Sequence, residues 1–431
     1  MSKHTSRPDS ITDRVFPIGD RDGMRSRRHR KQEDDNDTPA FDAGSAALGD
    51  PPRPRDSRSR RASSRPPGHH APRARATPPR CQSPVESLTG PPAAGAGGLA
   101  DADRGVLRPG SAMKAAVLHE IGGVPRYEDF PDPVAGAGEV IIEVKAVAVE
   151  QVDKAIAAGT HYASGQFVTE LPVIPAFDGI GALPDGTLVG FGNPRRPYGA
   201  LAERTVVAAD AYAPIPEGID PAVATMLATA ITGMSITTAA GFVPGETVLI
   251  QGATGVAGRL AVQVARLLGA GRIVATGRDD DQLREVRKLG ADTVINTAVG
   301  DDALARAFTD AEGDGYDVVL DYLWGRPTEI LLRTLVPESF AFGKPTRVIQ
   351  AGEAAGPELT LTAESLRTSG VEIYGAAKGL DAETMGSVYG QVVQWTRSGE
   401  LTFDLVTIPL SDIETAWQRT DLRGRRLVVL P

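Results

Sequence analysis

From residue 113 onward the apolar positions recur in short regular blocks. AAVLHE (115–120) reads as a short strand. EVIIEVKAVAV (139–149) alternates apolar and polar residues through Ile141, Glu143 and Lys145, the pattern of a half-buried strand. GTLVGFG and ALAERTVVA continue in the same style, punctuated by glycine and proline. At Pro221 the period changes: PAVATMLATAITGMSITTAAG reads as helical, and Pro244-Gly245 closes it with a turn.

A second regime follows. TVLIQG (247–252), RIVATG (272–277), TVINT, YDVVLDY, TRVIQAG and VEIYGA (371–376) are short, β-branched and nearly all apolar, and helical stretches such as QLREVRKLG separate them. Strands that are apolar on both faces belong in a parallel sheet covered by helices on both sides. Six of them in this order predict a doubly wound, dinucleotide-binding α/β domain.

The turn between the first two of these strands is Gly252-Ala253-Thr254-Gly255-Val256-Ala257-Gly258. Gly252 suits the tight turn off the strand, Gly255 a close backbone approach to a pyrophosphate, and Gly258 the packing of helix on sheet. Leu260, Val264, Leu267 and Leu268 then mark one apolar helix face. The helix N-terminus presents free amides and a favourable dipole to phosphate. At the end of the second strand, an NAD-type site carries an acidic residue on the ribose hydroxyls. Here Gly277-Arg278 occupies that place, so repulsion of a 2′-phosphate is absent and a guanidinium is offered. NADPH is therefore the expected cofactor. Asp279, Asp280 and Asp281 suit a helix cap.

Composition changes the picture at the other end. Residues 1–112 are rich in Arg, Pro, Ser, Gly and Asp, without usable periodicity, and carry roughly +6 against roughly −15 for the rest. Such a segment cannot offset its ordering entropy and reads as a disordered tail. It is either an Arg-rich arm for RNA or DNA, or an extension ahead of an ordinary start at Met113, the reading favoured here. The net charge of −9 argues against a nucleic-acid binder as a whole. No run of about twenty uninterrupted apolar residues predicts a membrane span, and the N-terminus lacks the apolar core of a secretory signal. One cysteine, Cys81, excludes an intramolecular disulfide and a cysteine-built zinc site, and fits a cytoplasmic setting. Beyond residue 112 only His119 and His161 remain, so no metal site is expected.

The segments GEVIIEVKAVAVEQVDKAIAAG, LPVIPAFDGIGAL, GALAERTVV, GETVLIQGATGVAGRLAVQVARLLGA, KLGADTVIN, YDVVLDYLWG and VIQAGE, in this order, resemble the medium-chain dehydrogenase/reductase superfamily, and within it the zinc-independent quinone oxidoreductase group. The resemblance runs from Met113 to the C-terminus. It implies a GroES-like β-barrel catalytic domain (113–237), an inserted Rossmann NADP-binding domain (238–377) and a C-terminal return to the catalytic domain (378–431). It also implies an active site between the domains, drawing on loops around 150–170, 190–200 and 350–385.

The resemblance places the zinc ligands of other members around Val149-Glu150 and Phe177-Asp178, where neither Cys nor His stands. The group's Asn-x-x-Asp pattern is altered to Glu150-Gln151-Val152-Asp153, and its proline-glycine to Pro175-Ala176. Tyr162 falls near the group's substrate-pocket tyrosine and would donate to an acceptor oxygen; its alternative is an ordinary loop residue, as for His161. Asp153 would support a donor or start a helix. Glu150 would act as a general acid or pair with Lys154. Ser235 matches a threonine near the nicotinamide or back-bonds within its helix. Tyr322, Leu323 and Gly352 close strands at the edge where ligands bind in doubly wound folds.

The expected function is hydride transfer from NADPH to a quinone or an α,β-unsaturated carbonyl, by a homodimer paired through VEIYGA. The other class of function is a weakly catalytic NADPH-binding redox sensor or RNA-binding protein of the same fold.

Overall fold

A computed structural model describes residues 111–337, 339 and 341–431. The reading of residues 1–110 as a tail, with Cys81, lies outside the described residues.

Two large sheets organise the chain. The first is wholly parallel, and its strands from edge to edge are Thr293–Asn296, Arg272–Gly277, Thr247–Gln251, Val318–Asp321, Thr346–Gln350 and Val371–Gly375. In sequence order this is 3-2-1-4-5-6, with the order reversing between the first and fourth strands, where doubly wound folds bind ligands. Val248, Leu249, Ile250, Val318, Val319 and Leu320 are fully buried, because helices cover both faces. Val256–Leu267 packs on one face; Asp301–Asp310 and Gly325–Thr334 pack on the other.

The second sheet is mostly antiparallel. Glu139–Val149 pairs with Asp178–Ala182 on one flank; on the other its first half pairs with Arg204–Ala208 and its end with the chain's final strand, Arg426–Leu430. That strand is joined in parallel by Leu405–Pro409. The C-terminal segment therefore returns to the sheet that Glu139–Val149 began. The opening strand Ala112–Val117 pairs with Arg126–Pro131 and buries Met113 in the same core.

Pro221–Gly241 differs from a single helix. It is a chain of short pieces, Pro221–Ala224, Leu227–Ile231, a 3₁₀ turn at Thr232–Met234 and Ser235–Thr238. The break follows from docking: a Cβ on Gly233 would come within 3.1 Å of Ala261 Cα on the first helix of the parallel sheet. By length and composition, Pro221–Thr238 is apolar enough to cross a membrane; here 56% of it is buried, packed on that helix and on Ala382–Ser398.

Candidate active site

The strand Thr247–Gln251 ends in a turn that only glycine permits. Gly252 has φ of +79° and donates its amide to Thr276 Oγ1 at 3.0 Å. Gly255 closes the turn on the Gly252 carbonyl and caps the helix Val256–Leu267. A Cβ on Gly258 would overlap the Gly252 carbonyl and stand 2.6 Å from Ala253 Cα, so this helix meets this strand only through glycine. Gly255 is different: a Cβ there would meet only ordinary contact at 3.5 Å. Its lack of a side chain is not demanded by the protein's own packing, and it leaves room above the turn. The helix starts earlier than Gly258, so the amides of Val256, Ala257 and Gly258 are its unpaired first-turn donors. This cradle, with the positive end of a three-turn helix behind it, fits a pyrophosphate.

Gly277 sits directly beside the turn. A Cβ on it would overlap Thr254 Cγ2 and reach Leu283 Cδ2 at 3.0 Å. Packing against Thr254 therefore requires the glycine, quite apart from cofactor choice. Arg278 is exposed and has no partner among the described residues. The three aspartates that follow have local roles. Asp279 accepts from the Gln282 amide at 3.0 Å, Asp280 from Asn296 Nδ2 at 2.7 Å, and Asp281 pairs with Arg284.

At the end of the fourth strand, buried Asp321 accepts from the amides of Leu323 and Trp324 and from Thr328 Oγ1, which in turn accepts from Gln251 Nε2. This network fixes Tyr322 and Leu323 over the turn. A Cβ on Gly252 would be 2.9 Å from Leu323 Cδ2, and one on Gly352 would be 2.8 Å from the Tyr322 carbonyl. Gly252, Tyr322, Leu323 and Gly352 thus meet at one sheet edge. The Tyr322 hydroxyl shares a hydrogen bond with Thr232 Oγ1 at 2.9 Å, and burial raises its pKa above the usual phenol value. Ser235 does not take part: its Oγ donates to the Thr232 carbonyl at 2.7 Å, which is the back-bonding alternative. Thr232 is the helix hydroxyl at this edge. The sequence signal for it was its place three residues before Ser235, one turn back on the same helical face.

The second half of the site is a cluster of carboxyls around a guanidinium. Glu150 precedes the helix Gln151–Ala157, and its amide donates to Asp153 Oδ2 at 2.8 Å. Its carboxylate accepts from Thr229 Oγ1 at 3.0 Å and pairs with Arg426 Nη2 at 2.8 Å. The pairing with Lys154 does not occur; the Lys154 ammonium lies over the Trp417 ring instead. Arg426 is buried and also donates to the Val149 carbonyl. Its position in the last strand puts it beside the end of the strand leading into Glu150.

Asp153 is 2% exposed, and its Oδ1 has no partner. Burial pushes its carboxyl up to about 8, helped by the charges of Asp178 and Glu150 and opposed by the Glu150 amide and Arg426. Burial and the Glu150 charge push Asp178 up to about 6. Three carboxyls share the field of one guanidinium, and the two without an ion pair to it are drawn toward the protonated form. A narrow cavity adjoins Asp153, walled by Leu118, Ile156, Phe167 and Phe177, with Arg196 held 4.8 Å from the Phe167 ring.

Tyr162 is not brought to this cavity. It is 96% exposed, with its ring against His161 at 4.2 Å. The helix ends at Ala158, and Gly159, at φ of +72°, turns the chain outward. An oxyanion-donor role gains no support from that placement. The cofactor edge and the carboxyl cluster are joined through one helical face. Thr232, bonded to Tyr322, donates to the Thr229 carbonyl at 2.8 Å, and Thr229 donates to Glu150.

Comparison with known proteins bears on this arrangement. Residues 257–333 match a family described as zinc-binding dehydrogenase. A probable NADPH-dependent quinone reductase of Emericella nidulans is 26% identical over 351 residues, covering 71% of this chain and 96% of that protein. The crystal structure of a probable oxidoreductase from Mycobacterium abscessus is 26% identical, with a TM-score of 0.61 over 75% of this chain and 100% of its own. A mycobacterial protein solved with NADPH shares the fold at 23% identity and a TM-score of 0.59, over 74% and 100% of the two chains. These matches agree with one another. The chain is similar to quinone oxidoreductases of the medium-chain dehydrogenase/reductase superfamily, and is an oxidoreductase.

Proposed function

We propose, from this family placement, that the protein reduces a quinone or an α,β-unsaturated carbonyl with NADPH and without zinc. The glycine cradle, Arg278 and the NADPH-dependent relative support the cofactor. The donor set argues against zinc. At the places where the resemblance implies metal ligands stand Glu150, already paired with Arg426, together with Phe177 and Asp178. Phe177 has no donor atom, and the guanidinium already supplies the positive charge. The matched family's name does not decide the matter, because residues 257–333 contain no member of this cluster.

Bound NADPH supplies a hydride; the acceptor also needs a proton. The observation that carries the reading is Asp153, a carboxyl pushed up to about 8 and therefore protonated at neutral pH, buried at the edge of an apolar cavity. Asp153 gives up its proton to the reduced acceptor, and the Arg426 charge steadies the carboxylate left behind. Glu150 positions Asp153 through its amide. The Tyr322–Thr232–Thr229–Glu150 line holds the cofactor edge and the acid cluster in register. The single remote cysteine suits a cytoplasmic protein, and the apolar edge strand Val371–Gly375 suits a homodimer.

A panel of quinones and enones offered with NADPH, before and after exhaustive chelation, tests the reading. Chelation-insensitive NADPH oxidation by at least one acceptor, weakened in Asp153→Asn, is expected. No acceptor consuming NADPH, or activity that returns only with added zinc, overturns it.

A further inference from the structure

Thr254 is gripped from two sides by glycines far apart in the chain. A Cβ on Gly277 would overlap its methyl group, and a Cβ on Gly424 would overlap its carbonyl oxygen. Gly277 is followed by Arg278, and Gly424 is preceded by Arg423. Two arginines from different sheets therefore stand one residue away from the same turn of the phosphate cradle. Both are exposed, and neither has a partner among the described residues.

Five other arginines of these segments are engaged. Arg259 holds Asp404 at 2.7 Å and Gln282 at 2.9 Å, Arg284 pairs with Asp281, and Arg419 pairs with Asp421. Arg425 donates to the Leu422 carbonyl, and Arg426 pairs with Glu150. Arg259 also ties together the segments that carry the two free arginines. It ties the cradle helix to the helix that follows Arg278, through Gln282, and to the C-terminal segment, through Asp404. Its Nε would lie 2.6 Å from a Cβ on Gly424. Arg423 itself has φ of +47°, a conformation that L residues adopt at a cost. A large cationic side chain is thus kept where glycine would be easier.

We infer that Arg423 joins Arg278 as a two-arginine receptor for the 2′-phosphate of NADPH. NADH offers only a hydroxyl at this position, whereas the phosphate is a multiply charged acceptor that two guanidinium groups can share. The receptor is completed only by the returning C-terminal segment, so cofactor selection is built from both sheets. Three residues beyond Arg423 the same segment supplies Arg426 to the acid cluster.

The inference rests on the NADPH reading above, and binding experiments without any acceptor separate the two. NADPH and NADH are titrated against the full chain by calorimetry, using wild type, Arg278→Ala, Arg423→Gly and Arg423→Lys. Glycine suits the positive φ and removes the charge without adding strain. Arg423→Gly is expected to weaken NADPH by about tenfold or more, the scale of a charge-assisted hydrogen bond, and to leave NADH unchanged. Arg423→Lys should recover part of the loss. A wild type that binds both cofactors equally overturns the NADPH reading itself. A wild type that prefers NADPH and loses the preference in Arg278→Ala but not in Arg423→Gly overturns this inference alone. So does an equal loss of both cofactors in Arg423→Gly, which would assign the loop a structural role.

Discussion

Arg426 Nη2 lies 2.8 Å from Glu150 Oε1, joining the last strand of the chain to the helix start that follows Glu139–Val149. The Arg426 side chain is 10% exposed and that of Glu150 27%, so the pair is largely out of water. Removing one member leaves the other charge buried without compensation, which costs more than removing both. Arg426→Met should therefore lose about 3 kcal/mol of stability, and Glu150→Gln with Arg426→Met clearly less. Urea unfolding of the two variants measures the difference; equal losses would show that the ion pair contributes no coupling.

Much of the fold was legible because burial imposes a period. Glu139–Val149 and Arg272–Gly277 occupy the spans expected from their patterns, since one strand is half-buried and the other buried on both faces. The ion pair was not legible. Glu150 read as a partner for Lys154 because sequence shows only neighbours on the same helix, whereas Arg426 arrives through a strand pairing. Ala176 is a similar case. It stands where the resemblance implies glycine and adopts φ of +68°, a conformation that glycine takes most easily. Tyr162 is the reverse case: its place in the chain suits a pocket residue, but it is exposed, as its loop alternative expects.

Gly277 does two things, and only the first was legible in the sequence. It removes an acidic group that would repel a 2′-phosphate, and it makes room for the Thr254 methyl. Gly277→Asp, the obvious change to favour NADH, should therefore destabilise the protein by about 1–3 kcal/mol through overpacking and fail to improve NADH binding. Adding Thr254→Gly should restore most of that stability. Thermal melts and NADH titration of both variants decide it; a stable single variant with improved NADH affinity would show that the turn can simply move.

Val371–Gly375 pairs on one side with Thr346–Gln350, and among the described residues its other side is open. Only Glu372 in the strand is charged, so the edge has little protection against pairing with another chain. The expected cover is the same strand of a second copy across a two-fold axis. Ile373→Pro, which removes one backbone donor, should shift the protein toward monomer or aggregate. Light scattering at micromolar concentration checks this, and a monomeric wild type would refute it.

Asp153 gives the clearest dependence on pH. Its folded pKa of about 8 lies above the ordinary carboxyl value of 3.8, so the folded state holds a proton that the unfolded chain has released over the interval between. The stability linked to that proton is fully present below about pH 4 and is lost as pH rises through about 8. Asp153→Asn cannot titrate, yet it keeps an oxygen to accept the Glu150 amide. The variant should therefore gain on the wild type steadily from pH 4 to pH 8, at no more than about 1.4 kcal/mol per pH unit, and the gain should level off above pH 8. Asp178, pushed up to about 6, titrates in both proteins, but its charge acts on the Asp153 carboxyl in the wild type alone. Catalysis should show the opposite consequence. Asp153→Asn, having no proton to give, should turn over slowly, and the loss of wild-type rate above about pH 8 should vanish from its profile. Urea midpoints at three pH values, with rate profiles on one good acceptor, test both halves. Parallel stability curves for the two proteins would mean that Asp153 is ionised in the fold and cannot be the acid.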